Sequence, residues 1–402
     1  MGDCPLMCEG GNTMRKLLTL AMVLSALLIA VPVAQAGTLC VNTGGTGGCY
    51  SSIQGAIDAA NAGDTINVAA GTYNETVKLK STTASDISVI GENKATTFIT
   101  RGISFGADYS GLKVQNFTIS GNGFLDTETY EATVAHSWKS GHPTVTNLEF
   151  SDCIFDGEEY DDGNGGRCGV VLKKLGGVVK FENNEFKNYR GWATLDVNDQ
   201  GESVTSYTFK NNNVHDNWGS CALRGNPSNR TDTVTVTRNT FNNSGNPAQQ
   251  SWAALEINEA DSVTVSDNTI TNTQPGSWGE GEALQFWHIT SLIVTNNTIA
   301  NNYQGIYFPG GAWASDLSGV RINFNNIYGN TQFGIKAEAD NAGTADAKNN
   351  WWGTPFGPNG ENPAGKPVKG SDNVSGDVDY DPWLKKPFQA NQDHGGNPHP
   401  KE

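Results

Sequence analysis

One short phrase recurs along this chain: a β-branched or aromatic strand, then an Asn, then a bulky apolar residue. It spans Phe181 to Phe186, Phe209 to Val214, Val236 to Phe241, Val265 to Ile270, Val294 to Ile299, Ile322 to Ile327 and Ala347 to Trp352, with degenerate copies at Val114 to Ile119 and Phe150 to Phe155. The Asn of the seven clear copies, Asn184, Asn212, Asn239, Asn268, Asn297, Asn325 and Asn350, stand 28, 27, 29, 29, 28 and 25 residues apart. A period in that range marks a solenoid, in which each coil buries its apolar face against the next. A second apolar strand follows each phrase, at Val170-Leu172, Leu195-Val197, Ala222-Leu223, Leu255-Ile257, Leu284-Phe286, Ile306-Phe308 and Ile335-Ala337. Short strands with no room for a helix between them predict an all-β chain, a single-stranded right-handed parallel β-helix. A leucine-rich horseshoe needs Leu-rich repeats, and a propeller blade needs roughly 40 residues.

The Asn column is read as structural. Asn tolerates left-handed backbone, so one corner can turn tightly in every coil while the side-chain amides form a ladder. The 402 residues need only one core, because a repeat array grows by stacking. A formal net charge of −16 argues against nucleic acid as a partner, since phosphate binding needs a basic surface. It also disfavours a polyanionic ligand unless a cation or a local Lys/Arg patch intervenes.

Met14-Arg15-Lys16, the apolar run Leu17 to Val33 and Ala34-Gln35-Ala36 have the three parts of a secretory signal peptide, which predicts export and a mature chain from Gly37. No second run is long enough to span a membrane. The expected organisation is a leader over 1–36, a β-helix over 37–385 with caps at 37–63 and 345–385, and a polar, disordered tail over 386–402. Export permits disulfides. Cys40 and Cys49 flank a Gly-rich loop and form the best pair, Cys153 and Cys168 the second candidate, and Cys221 is left as a buried thiol.

Ile53, Ile57 and Ala60 fall on one face of a short helix that Gly63 ends, placed to plug the open end of the solenoid, and Thr65 to Val68 reads as the first strand. This opening, the Asn-phrase coils, and the ending Asn349-Asn350-Trp351-Trp352-Gly353 with Val378-Asp379-Tyr380-Asp381-Pro382-Trp383-Leu384 resemble secreted proteins of the pectate-lyase-like parallel β-helix superfamily. The resemblance covers nearly all of the mature chain. It implies the fold and a secreted or cell-surface, carbohydrate-active protein; it does not fix the activity, because that superfamily holds lyases, hydrolases, epimerases and adhesins.

Chemistry is expected on the outside of the coils. The residue after each inward Leu or Ile of the second strand points outward, and stacking aligns these residues in a column: Lys173, Asp196, Arg224, Glu256, Gln285, Tyr307 and Lys336. Rungs about 4.8 Å apart would put Asp196 and Glu256 roughly 9 to 10 Å apart with Arg224 between them. Trp192, Trp252, Trp278, Trp287 and Tyr307 lie nearby and suit sugar faces, with Gln285 as a further binding residue. The bland alternative is a solvated ladder of salt bridges.

Two mechanisms fit such a stripe. In a β-eliminating polysaccharide lyase acting on an acidic polysaccharide, Arg224 is the expected base with Lys173 assisting, and Asp196, Asn198, Asp199 and Glu256 could hold Ca²⁺ through hard oxygen ligands. An arginine normally stays protonated, which tells against it as a base. In an inverting glycoside hydrolase Asp196 and Glu256 would be acid and base. Polygalacturonase and pectate-lyase signature motifs are absent. The acidic run Asp156 to Asn164 lacks EF-hand spacing. The insertion from Asn122 to Thr146 is expected to wall the groove, with His136 and His142 on its surface. A non-catalytic extracellular β-helix that binds glycans is the competing class. Catalysis needs Asp196, Arg224 and Glu256 to meet at an open groove, whereas a binding or structural protein can bury or pair them.

Overall fold

The computed structural model describes residues 36–123, 131–136, 143–161, 166–198, 204–228, 230–247, 253–277, 279–361, 367–368 and 372–389. The leader, Trp138, Lys139, His142, Asp162, Asn164, Asp199, Trp252, Trp278 and the end of the tail lie outside these residues. Each coil gives one short strand to each of three parallel sheets, and the stack makes a right-handed solenoid of about ten turns. The first sheet runs from Thr38–Val41 to Val378–Asp379 and the second from Gly71–Tyr73 to Asn326–Tyr328. The third runs from Val77–Leu79 through Ile103–Phe105, Glu131–His136, Arg167–Leu172, Ala193–Asn198, Ser220–Arg224, Leu255–Asn258, Glu282–Trp287, Gln304–Phe308 and Ile335–Ala337 to Val374–Ser375. Among the described residues no helix is long and apolar enough to cross a membrane.

Strand alternation sends every second side chain inward, where parallel, in-register pairing stacks like upon like. Phe155 lies on Phe186 with ring centroids 4.6 Å apart, and Phe150 stacks on Phe181 at 5.8 Å. The Asn column is the ladder the repeat predicts. Asn268 Oδ1 accepts from the backbone N–H and side-chain amide of Asn239 (2.8 and 2.9 Å), and its own amide donates to Val236 O and Asn297 Oδ1 (3.0 and 2.9 Å). The left-handed backbone, however, falls one residue earlier. Asn183, Asn211, Arg238, Asp267, Asn296, Phe324 and Asn349 have φ between 54 and 61°. Turning and hydrogen bonding are thus divided between neighbours, and Arg238 and Phe324 can turn the corner because only the ladder position needs an amide.

Truncating Asn268 to Ala would leave two N–H donors of Asn239 and the Val236 carbonyl without these buried bonds, each costing about 1–3 kcal/mol, while Asn297 Oδ1 keeps the Asn268 backbone N–H. A loss of about 3 kcal/mol or more is expected in denaturant unfolding. A loss below about 1 kcal/mol would mean that water replaces the amide.

The helix spans Ile53–Ala59. Ser52 Oγ accepts from Gly55 N at 3.0 Å, and the Glu75 carboxylate accepts from Ile53 N and Gln54 N at 2.8 and 3.0 Å, meeting the donors that a helix start leaves open. Its Ile53, Ala56 and Ile57 join the core.

Several sequence expectations need correction. The first strand is Thr38–Val41, paired with Thr65–Val68 so that Cys40 faces Asn67; its mixed polarity hid it. Part of the supposed wall, Glu131–His136, is a strand of the third sheet. Cys40 and Cys49 form a disulfide, but Cys153 and Cys168 are both free and buried. Cys153 points into the main core, while Cys168 packs outside the sheet with Ala132, Ala135, Val171 and Ala193, so the wall of the solenoid separates them. Cys221 is a free core thiol. The Phe388 backbone exchanges two hydrogen bonds with the Asn326 side chain (2.8 and 2.9 Å), and its ring packs on Phe324.

Candidate functional site on the third sheet

The third sheet puts Val171, Asp196, Ala222, Glu256, Gln285, Tyr307 and Lys336 in one register column. Arg224 stands in the neighbouring column, paired with Asn198 and Asn258, and Asn258 pairs with Trp287. Lys173, following Leu172, continues that second column. The seven residues read as a single column therefore occupy two. The slip arises at Leu223, which pairs with Val197 and Ile257, whereas Cys221 faces Leu195 and Leu255. A two-residue slip keeps every side chain on its face and leaves no trace in the hydropathy pattern.

The two columns nevertheless bring the four charges together. Ala222, small and buried, leaves room between Asp196 and Glu256, and the Arg224 guanidinium enters it from the side. Arg224 Nε lies 3.1 Å from Glu256 Oε1 and 3.6 Å from Asp196 Oδ1, and Nη2 donates to Glu256 Oε2 at 3.3 Å. Asn258 donates to Glu256 Oε1 at 3.2 Å. Lys173 Nζ pairs with Asp196 Oδ2 and lies 5.1 Å from the centre of the Trp192 ring. Asp196 and Glu256 are fully buried, Lys173 is nearly so, and the Arg224 side chain is 26% exposed.

Desolvation, reinforced by the nearby Arg224 charge, brings the Lys173 ammonium down to about 7. Burial raises the Glu256 carboxyl above its usual range, against the opposing pull of Arg224. His136, expected on the surface, is buried, and its Nε2 accepts from Lys173 N at 2.7 Å. That bond fixes the proton of a neutral ring on Nδ1 and pins the end of the strand that carries Lys173. No motif around His136 announces this role.

Side chains on the outward face of this sheet also leave buried polar atoms without a hydrogen-bond partner: Asn198 Oδ1, Asn258 Oδ1, Gln285 Oε1 and Trp287 Nε1. Such atoms normally find partners, so along this strip they are open to water or to a polar ligand. The acidic run is differently employed. Glu158 pairs with Arg167 at 2.7 Å, Glu159 with Arg190 at 3.5 Å and Asp156 with Lys187 at 3.9 Å. Among the described residues no group of three or more His, Cys, Asp or Glu is placed to hold a metal ion.

The family model for the right-handed β-helix region matches residues 132–308 and 228–351, and the chain belongs to that family. No curated protein matches the sequence. Among solved structures, the A-module of mannuronan C-5 epimerase AlgE6 of Azotobacter vinelandii matches at 16% identity over 82% of this chain and 94% of its own, with a TM-score of 0.45. A mannuronic acid specific family 6 polysaccharide lyase from human gut microbiota matches at 12% identity over 78% and 87%, with a TM-score of 0.36. The pectin methylesterase PemA of Erwinia chrysanthemi matches at 12% identity over 86% and 94%, with a TM-score of 0.30. At these scores the likenesses bear on neither activity nor substrate.

Proposed function

We propose that this chain is an exported, carbohydrate-active β-helix protein that cleaves an acidic polysaccharide by β-elimination at the Lys173–Asp196–Arg224–Glu256 cluster. The short helix Ile53–Ala59 serves as its N-terminal plug. The carrying observation is a lysine brought to about 7 beside a partly exposed guanidinium, on the strip where buried polar atoms lack partners. The roles differ from those the sequence suggested. Arg224, fixed by two carboxylates, suits recognition of the uronate carboxylate and stabilisation of charge developing on it. Lys173 in its neutral form suits the base. The C5 proton passes to Lys173 Nζ, the C4–O4 bond breaks as the C4–C5 double bond forms, and the departing oxygen is protonated from water.

Two sequence expectations are not carried forward. Asp196 and Glu256 face one guanidinium in the space between them, which leaves no place for the attacking water of an inverting hydrolase. The same two carboxylates are engaged by Lys173 and Arg224, so they are poor calcium ligands and no step is routed through Ca²⁺. Exhaustive chelation is expected to change turnover less than about twofold; a loss of tenfold or more would restore the metal.

The pH profile tests the base. Only unprotonated Lys173 accepts the C5 proton, so the rate should fall as pH drops through about 7 and level off above it. A rate unchanged across about pH 5 to 9 would remove Lys173 from the role. The second reading, glycan binding without catalysis, draws on the complete burial of Asp196 and Glu256. It predicts binding with no product.

A further inference from the structure

Beyond Glu256 the strip opens into a cavity of about 350 Å³. Gln285 lies one rung past Glu256 and Trp287 one rung past Asn258. Two aromatic pairs bracket the space: Trp287 with Trp313, ring centroids 5.4 Å apart and tilted by 38°, and Tyr307 with Phe333 at 5.9 Å and 40°. Into it face Gln285, 4% exposed with Oε1 unpartnered, and the unpartnered Nε1 of Trp287. One acceptor and one donor between apolar rings match a sugar ring, which offers hydroxyls at its rim and C–H faces above and below.

Charge narrows the class of sugar. Lys336, the one cation lining the cavity among the described residues, is held by Glu338 at 2.7 Å, and Glu338 also accepts from Tyr307 Oη at 3.0 Å. Glu280 adds negative charge, and burial raises the Glu282 carboxyl above its usual range. A uronate carboxylate would meet acids and no unpaired cation. In the cluster one rung away Arg224 retains exposure and can meet a carboxylate.

We infer that this cavity is a subsite for an uncharged sugar, and that the polymer the strip takes is a heteropolysaccharide in which neutral and uronic units occur together. The inference rests on reading the strip as a glycan groove, and it replaces a uniform polyuronate by a mixed chain. Trp313, half exposed, is the stacking residue whose loss leaves no core cavity.

Titrating the full chain with neutral hexasaccharides (xylo-, cello-, manno- and N-acetylated chito-series) and with hexauronates, followed by tryptophan fluorescence, tests it. At least one neutral series should perturb the fluorescence saturably, Trp313→Ala should weaken that binding tenfold or more, and hexauronates should not displace it. Lys173→Arg should leave it unchanged, so that failure of the elimination chemistry, read from product, is separable from failure of the subsite. No saturable signal from any neutral series, binding indifferent to Trp313→Ala, or equal affinity of hexauronates for the same site would each overturn it.

Discussion

Lys173→Arg is expected to abolish product release, by roughly a thousandfold, while leaving the protein folded. Arginine keeps a positive charge against Asp196 and a stem against Trp192, so the buried pair keeps a cation. It does not give up its proton, and a base that never deprotonates cannot take one. Lys173→Ala is the harsher change. It leaves Asp196 buried with Arg224 alone, and lost activity there could follow from lost structure. The conservative variant separates the two. A Lys173→Arg protein with an unchanged unfolding midpoint and near-normal turnover would show that Lys173 only balances charge.

Glu256→Ala is expected to give the largest loss of stability of any change in the cluster. Glu256 receives Arg224 through two contacts and Asn258 through a third, all at a fully buried position. Removing one partner of such a network strands the other charge in a poorly solvated site, at a cost of about 3–5 kcal/mol. Glu256→Gln keeps an acceptor for Asn258 and should lose less. Equal, small losses for both variants in denaturant unfolding would mean that the guanidinium simply turns toward water through its exposed edge.

The solenoid was legible because its evidence is periodic. A phrase returning every 25 to 29 residues fixes the coil, and inward Val, Ile and Phe fix the faces. What periodicity does not carry is register along a strand. Placing Arg224 beside Asp196 and Glu256 in the column required counting from Leu223, and apolar Cys221, Leu223 and their neighbours support two alignments that differ by two residues. Coils with weak patterns were lost for the same reason, Thr38–Val41 among them. A second amide column, in which Asn302 donates to Asn330 at 3.0 Å and Asn330 to Asp372 at 2.7 Å, escaped notice because Ser244 and Thr273 stand in it where the phrase would need Asn. His136 was missed because its role is a bond to a backbone N–H 37 residues away, which no local pattern encodes.

Elimination across C4–C5 of a uronic unit at the Lys173–Arg224 cluster, as proposed above, would leave a double bond in the product. Its most direct test is to incubate the protein with polyuronates and with mixed glycosaminoglycan-type polymers, following the ultraviolet absorbance of the new double bond. Absorbance should rise with at least one polymer, more from a mixed chain than from a uniform one, and not at all with Lys173→Arg. Absence of both unsaturated product and new reducing ends from every polymer, in protein that still binds glycan, would contradict it and leave a β-helix that holds its ligand without cutting it.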